Sequence, residues 1–171
     1  MISVCIITRD EADMLRKCLK ALEKYNVEIV VADTGSKDDS KRVALEYTDK
    51  VYDFEWCDDF AAARNYAAGK AENDIIFALD TDEIVESFNV NEDEIKAGKA
   101  IGRILRINQF VREGEVQRGK ERISRLYDRR YFKYVGRIHE QIEAVNGVEV
   151  AEKVCNVDVA VRHYGYNGST E

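Results

Sequence analysis

Residues 27–39 read VEIVVADTGSKDD, and this stretch decides the fold. Its first six residues, 27–32, are mostly apolar and β-branched, as in a strand that is covered on both faces. Asp33 then opens the string DTGS, which is also found around the catalytic aspartate of aspartic proteases. Those proteases are all-β, whereas Ser36 and Asp39 here stand in the S-x-x-D capping arrangement that predicts the start of a helix. A strand followed by a capped helix argues against proteolysis.

The same alternation of strand and helix extends on both sides of this stretch. Short apolar runs predict three further strands, at 2–7, 50–54 and 74–79. Helical spacing predicts three helices: one in 10–25 with the stripe Leu15, Cys18, Leu19 and Leu22, one in 36–47 with Val43, Ala44 and Tyr47 on one face, and one in 59–71 with Phe60, Ala63 and Ala67. Strands that alternate with helices predict βαβ units and a parallel sheet.

The second half of the chain changes character. Residues 84–99 are polar and acidic and predict a surface excursion with a short helix. From Ile101 onward the pattern predicts strands at 101–111, 121–127, 136–145 and 154–164. We therefore expect one α/β domain over residues 1–171, in which a Rossmann-like parallel sheet in residues 1–83 continues into a mixed sheet in residues 84–171.

Composition limits the classes of partner. The 171 residues carry a net charge of −7, and phosphate backbones are bound by clustered Lys and Arg, so no nucleic-acid partner is expected. No apolar run approaches the ~20 residues that span a bilayer, so any membrane contact is expected to be peripheral. The N-terminus lacks a signal-peptide pattern and the four cysteines form no CxxC pair, so we expect a cytoplasmic protein with reduced thiols.

Polar residues cluster where the predicted strands end. In open parallel sheets, ligands bind beyond the carboxyl ends of the strands, at the point where the strand order reverses. With the common order 3-2-1-4, the ends of the first, second and fourth strands would surround one crevice. The residues at these ends are Thr8, Arg9, Asp10, Glu11, Asp33, Asp80, Thr81, Asp82 and Glu83.

The sequence LDTDE at 79–83 places three carboxylates within four residues. Such groups repel each other unless a cation lies among them or some are protonated. Mn²⁺ or Mg²⁺ suits this site, because these ions are held by one or two carboxylates, waters and the oxygens of a bound diphosphate. The alternative is a solvated acidic turn, but the position at the end of a buried strand favours a divalent cation.

Six blocks follow one another over nearly the whole chain: ITRDEADMLRKCL, EIVVADTGSKDDS, FEWCDDFAAARN, FALDTDE, GRIHEQI and HYGY. Together they resemble the family 2 glycosyltransferases of the GT-A fold, nearest to bacterial enzymes of cell-surface or peptide glycosylation. The resemblance implies inverting transfer of a sugar from a nucleotide diphosphate sugar, commonly a UDP-sugar, to a carbohydrate, lipid-linked or peptide acceptor. It also makes residues 1–83 a nucleotide-binding half and residues 84–171 an acceptor and catalytic half. Many relatives continue beyond the position of HYGY, so the chain is either a fragment with an incomplete acceptor site or a short member of the family.

The resemblance assigns roles to the residues at the strand ends. Asp33 would contact the nucleotide base, Asp80 would contact ribose or sugar as part of the catalytic set, and Asp82 would bind the metal. Asp10 departs from the family, whose members often carry Asn at this position. The implied nucleotide-sugar contacts are Thr8, Arg9, Glu11, Asp33, Arg64, Asp80 and Thr81.

His163 ends a predicted strand whose alternate residues, Val157, Val159 and Val161, are apolar. A regular strand would therefore point its imidazole toward the core or the crevice. In the family a histidine at this position can complete the metal shell, and imidazole with carboxylate suits manganese. The alternative is a half-buried histidine held by hydrogen bonds.

Glu140 interrupts the apolar alternation of Ile138, Ile142 and Ala144. A carboxylate there faces a cavity or forms an ion pair with a nearby arginine. Inverting transfer needs one general base to accept the proton of the attacking hydroxyl, and partial desolvation makes a carboxylate more basic. We therefore predict Glu140 as the base, with Asp128 as the second candidate. His139 has the opposite parity and is predicted to be structural.

Two other functions fit the same features. A nucleotidyltransferase shares the α/β architecture and the acidic metal site, but it would carry a glycine-rich and basic first loop, whereas residues 8–15, TRDEADML, contain no glycine. A binding module would hold a nucleotide sugar without transferring it. Replacement of Glu140 by Gln distinguishes the enzyme from the module. In the enzyme it should abolish sugar transfer and leave nucleotide binding intact, whereas the module shows no transfer in either form.

Overall fold

The computed structural model describes residues 1–148, 150 and 153–164, so the Gly165–Tyr166 end of the HYGY block lies outside the described residues. The elements of the first half are β1 (Ile2–Thr8), α1 (Ala12–Leu22), β2 (Val27–Asp33), α2 (Ser40–Leu45), β3 (Val51–Asp53), α3 (Phe60–Lys70) and β4 (Ile75–Asp80). Those of the second half are β5 (Glu83–Asn89), β6 (Ile101–Arg112), β7 (Glu115–Asp128), β8 (Phe132–Val135), β9 (Gln141–Ala144) and β10 (Val154–His163). Two 3-10 turns connect β5 to β6, at Glu92–Glu94 and Lys96–Gly98.

Eight strands form one sheet in the order β3-β2-β1-β4-β7-β6-β10-β5, and β8 pairs with β9 in a separate ribbon. The first four strands in this order are parallel, which confirms the predicted order 3-2-1-4. β7 runs antiparallel to both β4 and β6, whereas β10 is parallel to β6 and antiparallel to β5. The predicted fold class is therefore confirmed: a Rossmann-like parallel half continues into a mixed half.

Helices cover both faces of the parallel half. Successive residues of a strand point to opposite faces, so a strand between two helical layers is apolar at nearly every position. On one face, Val4 and Ile6 of β1 pack in a cluster with α1, whose buried residues are the predicted stripe Leu15, Cys18, Leu19 and Leu22. On the other face, Cys5 belongs to a cluster with Ala67 of α3, where small side chains let the helix approach the sheet.

The helix starts differ from two of the predictions. Ser36 does not cap α2, because its hydroxyl accepts from the backbone N–H of Asp10 instead. The helix begins at Ser40 after Asp39, whose side chain makes no capping bond. Phe60 is not on the inner face of α3, since it is 42% exposed; Asp59 caps this helix by accepting from the N–H of Ala62.

Among the described residues, no helix has the length and apolar character needed to cross a bilayer.

The polar excursion predicted for residues 84–99 is wrong in its first part. Residues Glu83–Asn89 form β5, the edge strand that pairs with β10. Its alternate residues Glu83 and Val85 are buried, and only the segment after it turns away from the sheet. Burial of an acidic residue at the start of this strand depends on a guanidinium supplied by β7, which lies at a distance in sequence.

The strand predicted for residues 136–145 is shorter in the structure. β9 begins only at Gln141, because Gly136 and His139 have positive φ angles of 105° and 56°, which turn the backbone before the ribbon begins. The partner of β9 is β8, which precedes this turn and was not predicted.

Candidate functional site

A cleft of about 530 Å³ opens at the carboxyl ends of β1 and β4. This is the point at which the order of the parallel strands reverses, where α/β sheets bind their ligands. The residues that line it are Ile7, Thr8, Arg9, Glu11, Thr34, Trp56, Phe60, Arg64, Asp80, Thr81, Asp82, His139 and Glu140. The structure thus brings together eight of the ten predicted site residues, and the other two, Asp33 and His163, contact the same rim.

The loops after β1 and β2 are held together by short polar contacts. The Asp10 carboxylate accepts hydrogen bonds from the backbone N–H groups of Lys37 and Asp38, at 2.6 and 3.2 Å. The Asp33 Oδ1 accepts from the N–H groups of Gly35 and Ser36, at 2.9 and 2.7 Å. The DTGS string is therefore a backbone turn that fixes one oxygen of Asp33 and leaves the other without a partner among the described residues.

Three buried polar atoms near the cleft have no hydrogen-bond partner among the described residues: Thr8 Oγ1, Asp33 Oδ2 and Arg64 Nη1. Thr8 and Asp33 are neighbours in the register of β1 and β2, so their free atoms belong to one corner of the site. Buried polar groups are normally paired, and each unpaired one calls for an explanation. A polar ligand that enters the cleft would supply the missing partners.

The acidic side of the cleft is formed by Glu11, Asp80 and Asp82. Thr81 donates to the Glu11 carboxylate at 2.7 Å. Partial burial raises the pKa of Glu11, and the nearby charges of Asp82 and Asp80 raise it further, against the lowering effect of the Thr81 bond. Positive charge brought to this side of the cleft would relieve the repulsion between Glu11 and Asp82.

Asp82 and His163 form a direct contact, with Asp82 Oδ2 and His163 Nε2 2.9 Å apart. Strand pairing brings the two residues together, because His163 at the end of β10 is the register partner of Glu83 in β5, the residue that follows Asp82. The predicted parity of β10 is also observed, with Val157, Val159 and Val161 buried. In the part of the chain that the structure describes, no group of three or more Asp, Glu, His or Cys side chains converges on one point. The contact thus brings together a carboxylate and an imidazole, two side-chain types that bind divalent cations.

Asp80 lies between two arginines at the floor of the cleft. Its oxygens accept from Arg64 Nη2 at 2.7 Å and from Arg125 Nη2 at 3.2 Å. Burial opposes ionisation of this carboxyl, but Arg125 and Arg64 outweigh it and hold the pKa of Asp80 well below its usual range. Asp80 is thus a fixed anion that orients Arg64.

Glu140 lines the cleft and accepts from Arg64 Nε at 2.8 Å. It precedes β9, so the parity argument that singled it out is wrong, although the residue does face the cleft. The ion pair with an arginine, which was the alternative for this residue, is also observed. His139, predicted to be structural, lines the same cleft.

Asp128, the second candidate base, is excluded by its position. It is fully buried and pairs in register with Ile75, at the opposite end of β4 from Asp80. Its oxygens accept from Arg130 and from the N–H of Ala97. Burial opposes its ionisation, but the bonds from Arg130 lower the pKa of Asp128.

The sequence prediction missed Arg125, and alternation could not have found it. The pairing of β7 with β6 shifts register at this point, so Ile123 and Tyr127, which share the parity of Arg125, pack in different core clusters. Arg125 is 8% exposed and binds Glu83 through two contacts of 2.6 and 3.1 Å. The buried charge pair ties β5 and β7 to the floor of the cleft.

Comparison with known proteins gives matches along most of the chain. A TPR repeat-containing protein of Synechococcus elongatus is 31% identical over 96% of this chain and 42% of its own length. The SPbeta prophage-derived glycosyltransferase SunS of Bacillus subtilis is 27% identical over 96% of this chain and 39% of its own length. Among solved structures, the mannosyltransferase PcManGT from Pyrobaculum calidifontis, in complex with GDP-Man and Mn²⁺, matches 60% of this chain and 34% of its own, with 22% identity and a TM-score of 0.48.

The chain thus spans about two fifths of the length of these two relatives. Residues 3–142 match the family model described as glycosyl transferase family 2, and this range holds every predicted site residue except His163. The match confirms the family that the six sequence blocks indicated. The chain belongs to glycosyl transferase family 2.

Proposed function

We propose that this chain is the catalytic domain of a metal-dependent inverting glycosyltransferase. It would take a sugar from a nucleotide diphosphate sugar, a UDP-sugar by preference, and transfer it to a nucleophile of a cell-surface, lipid-linked or peptide acceptor. The observation that carries the proposal is the meeting of Asp82 and His163 at the mouth of a cleft with unpaired buried polar groups. Similarity to SunS, a protein named as a glycosyltransferase, supports it. Residues 1–83 would bind the donor and residues 84–171 would serve the acceptor, in the cytoplasm.

The nucleotide would occupy the corner between β1 and β2. Asp33 Oδ2 is an acceptor without a partner among the described residues, and a base that carries an imide N–H, such as uracil, supplies the matching donor. Thr8 Oγ1 lies in the same corner, and the Arg9 and Glu11 side chains line the way toward the acidic side. Because the Asp33 oxygen is a hydrogen-bond acceptor, it favours a nucleobase that carries a hydrogen-bond donor.

The residues present fit a divalent cation. Two ligand atoms at adjacent corners of an octahedron with ~2.1 Å bonds lie ~3.0 Å apart, and Asp82 Oδ2 and His163 Nε2 are 2.9 Å apart. Carboxylate and imidazole together suit Mn²⁺, while Mg²⁺ prefers oxygen ligands. Since no third carboxylate, imidazole or thiol joins this pair in the described part of the chain, the diphosphate and waters would complete the shell. When bound, the cation would stabilise the negative charge of the departing nucleotide diphosphate.

Arg64 would position the reacting groups. Its Nε binds Glu140 and its Nη2 binds Asp80, so its third nitrogen, Nη1, is held in a fixed direction without a partner among the described residues. A fixed guanidinium donor suits an oxygen of the sugar or of the diphosphate. The ion pairs thus preorganise the site before the donor enters.

Glu140 would act as the general base for the acceptor. A second cleft of about 610 Å³ adjoins the first, and the two share Arg64, Asp80, His139 and Glu140 in their walls. A donor in the first cleft and an acceptor in the second would meet at Glu140, whose side chain is 15% exposed. A carboxylate between two clefts can accept the proton of a hydroxyl that attacks from one of them.

The two alternatives have less support. A nucleotidyltransferase must bind a triphosphate at its first loop, and the loop here offers Arg9 but also the acidic Asp10 and Glu11. A binding module without catalysis needs no base between two clefts. Transfer activity in the wild-type chain would decide against the module.

The test begins with the melting temperature of the chain in a panel of nucleotide sugars, with and without Mn²⁺. The expected result is a stabilisation that requires both components, largest with UDP-sugars. Transfer or hydrolysis of the stabilising donor is then measured for the wild type, for Glu140→Gln and for the control Glu143→Gln, which changes an exposed glutamate of β9.

Glu140→Gln is expected to reduce turnover by about 10²–10⁴-fold while donor binding persists, because a general base supplies a factor of this size. Glu143→Gln should behave as the wild type does. Absence of stabilisation by every nucleotide sugar would remove the glycosyltransferase proposal. Equal loss of turnover in both variants would remove Glu140 as the base.

A further inference from the structure

Three strands of the mixed half carry a row of polar side chains that leads to His163. His163 in β10 is the register partner of Asn108 in β6, and its Nδ1 lies 2.9 Å from Asn108 Oδ1. Asn108 Nδ2 donates in turn to Glu121 of β7, at 2.7 Å. Arg106, two residues before Asn108 on the same face of β6, donates to the other oxygen of Glu121 at 2.9 Å. The row ends at Asp82, which contacts His163 Nε2.

The carboxylate of Glu121 determines which way the Asn108 amide points. Glu121 forms an ion pair with Arg106, whose Nη2 lies 2.9 Å from one of its oxygens, so it is present as the carboxylate. An ionised carboxylate can only accept hydrogen bonds. The group that faces Glu121 must therefore be the amide NH₂ of Asn108, which leaves the amide oxygen toward His163.

The orientation of Asn108 then determines the proton on the imidazole. An amide oxygen cannot donate, so the ring nitrogen that faces it, Nδ1, must carry a hydrogen. In the neutral ring the second nitrogen, Nε2, then presents its lone pair toward Asp82 Oδ2. Two electron-rich atoms 2.9 Å apart repel each other unless a proton or a cation lies between them.

We propose that Asn108, oriented by Glu121, is a positioning residue that fixes His163 in its Nδ1–H form and presents Nε2 to a divalent cation beside Asp82. The inference rests on the proposed metal site and adds the residues that prepare it. Metal-binding histidines generally donate their other N–H to an oxygen, and loss of that oxygen typically weakens metal binding by about 10–100-fold. Here the oxygen belongs to an amide whose orientation is itself fixed by an ion pair.

The first test measures Mn²⁺ binding to the chain in the presence of UDP, by the EPR signal of free Mn²⁺. Asn108→Ala is expected to weaken Mn²⁺ binding by about 10–100-fold. The double variant Asn108→Asp/Glu121→Gln keeps an oxygen toward Nδ1 and reverses the hydrogen bond between residues 108 and 121, so it should retain most of the affinity. The matched control is Gln109→Ala, which removes the neighbouring amide of β6, whose partner is Arg162. Gln109→Ala should bind Mn²⁺ as the wild type does, and all variants should bind UDP equally in EDTA.

The second test is independent of any metal. The ¹⁵N chemical shifts of the imidazole are recorded in the metal-free chain, at a pH where the ring is neutral. Because the sequence contains only His139 and His163, a His139→Gln variant assigns the signals. The expected result is a protonated Nδ1 in the wild type and in Asn108→Asp/Glu121→Gln, and loss of this preference in Asn108→Ala.

The outcomes separate this inference from the function on which it rests. Wild-type-like Mn²⁺ binding by Asn108→Ala, or a neutral ring protonated on Nε2, would overturn the role of Asn108 and leave the metal site standing. A wild-type chain that binds no Mn²⁺ with UDP would overturn the metal site and this inference together, while nucleotide binding and turnover would still test the transferase.

Discussion

Replacement of Glu83 by Gln should strongly destabilise this chain. Glu83 is fully buried at the start of β5 and accepts from Arg125 twice, at 2.6 and 3.1 Å. It also accepts from the backbone N–H of Asp80 at 2.8 Å, and Arg106 lies 3.5 Å away. A neutral amide in this place would leave the buried guanidinium of Arg125 with Asp80 as its remaining counterion among the described residues.

The expected loss is about 3–5 kcal/mol of unfolding free energy, the usual cost of removing one partner from a buried ion pair. A domain of this size has about 5–15 kcal/mol in total, so the variant should unfold at a clearly lower urea concentration. The matched control is Glu86→Gln in the same strand. Glu86 has a side chain that is 38% exposed and binds Arg162, and exposed pairs contribute about 0–1 kcal/mol.

Urea unfolding followed by circular dichroism measures both variants, and the double variant Glu83→Gln/Arg125→Gln completes a thermodynamic cycle. The double variant should lose less than the sum of its two single variants, because the second change removes a charge that the first left unpaired. If Glu83→Gln and Glu86→Gln lost the same free energy, the buried network would contribute no more than a surface pair, and the reasoning would be refuted.

Three further results are expected. Asp10→Asn should change the unfolding free energy by less than about 0.5 kcal/mol in thermal denaturation, since Asn tolerates the φ of 50° and offers the same acceptor oxygen. Asp10→Ala removes that oxygen and should lose about 1–2 kcal/mol. Because Arg125 and Arg64 hold the folded pKa of Asp80 below its unfolded value of ~3.9, the stability that it contributes is present above pH ~4 and lost below. Urea midpoints of Asp80→Asn should therefore fall less than those of the wild type on acidification, and a parallel fall would contradict this. A thiol reagent at neutral pH should modify exposed Cys57 first, because burial raises the pKa of Cys5 to about 12; mass spectrometry would reveal any early reaction at Cys5.

The parallel half could be predicted from local patterns. Its strands are covered on both faces and its helices on one, so apolar runs and helical stripes alternate in the sequence without interruption. Once the order 3-2-1-4 is assumed, the ends of β1, β2 and β4 must converge, and Thr8, Asp33 and Asp80 follow from their place in the chain. The site residues in this half depend on short-range signals, which the sequence displays directly.

The mixed half could not be predicted in the same way. β5 pairs with β10, which begins at Val154, far along the chain. No local feature of residues 84–89 indicates this pairing. The strand can begin with a buried acidic residue, Glu83, because Arg125 balances its charge, and Arg125 lies 42 residues away in the sequence. A prediction that places every acidic residue on the surface fails wherever a guanidinium distant in sequence pairs with the buried carboxylate.

Glu140 shows how a correct position can follow from a wrong reason. The parity of residues 138–144 assumed a regular strand, but the backbone turns at Gly136 and His139. Glu140 faces the cleft because Arg64 of α3 binds it, so its place depends on a tertiary contact. This contact is the ion pair with an arginine that was the alternative prediction for Glu140.

The charges around the cleft alternate in sign along a continuous path. From Glu140 the path runs through Arg64, Asp80, Arg125 and Glu83, and it continues through Arg106 to Glu121. Each acid on this path is thereby matched by a guanidinium, which offsets the cost of burying its charge. The same contacts join α3, β4, β5, β6 and β7. Because one network holds both the mixed sheet and the reacting groups, a change that loosens the fold at Glu83 should also displace Arg64, and donor affinity should fall before the chain unfolds.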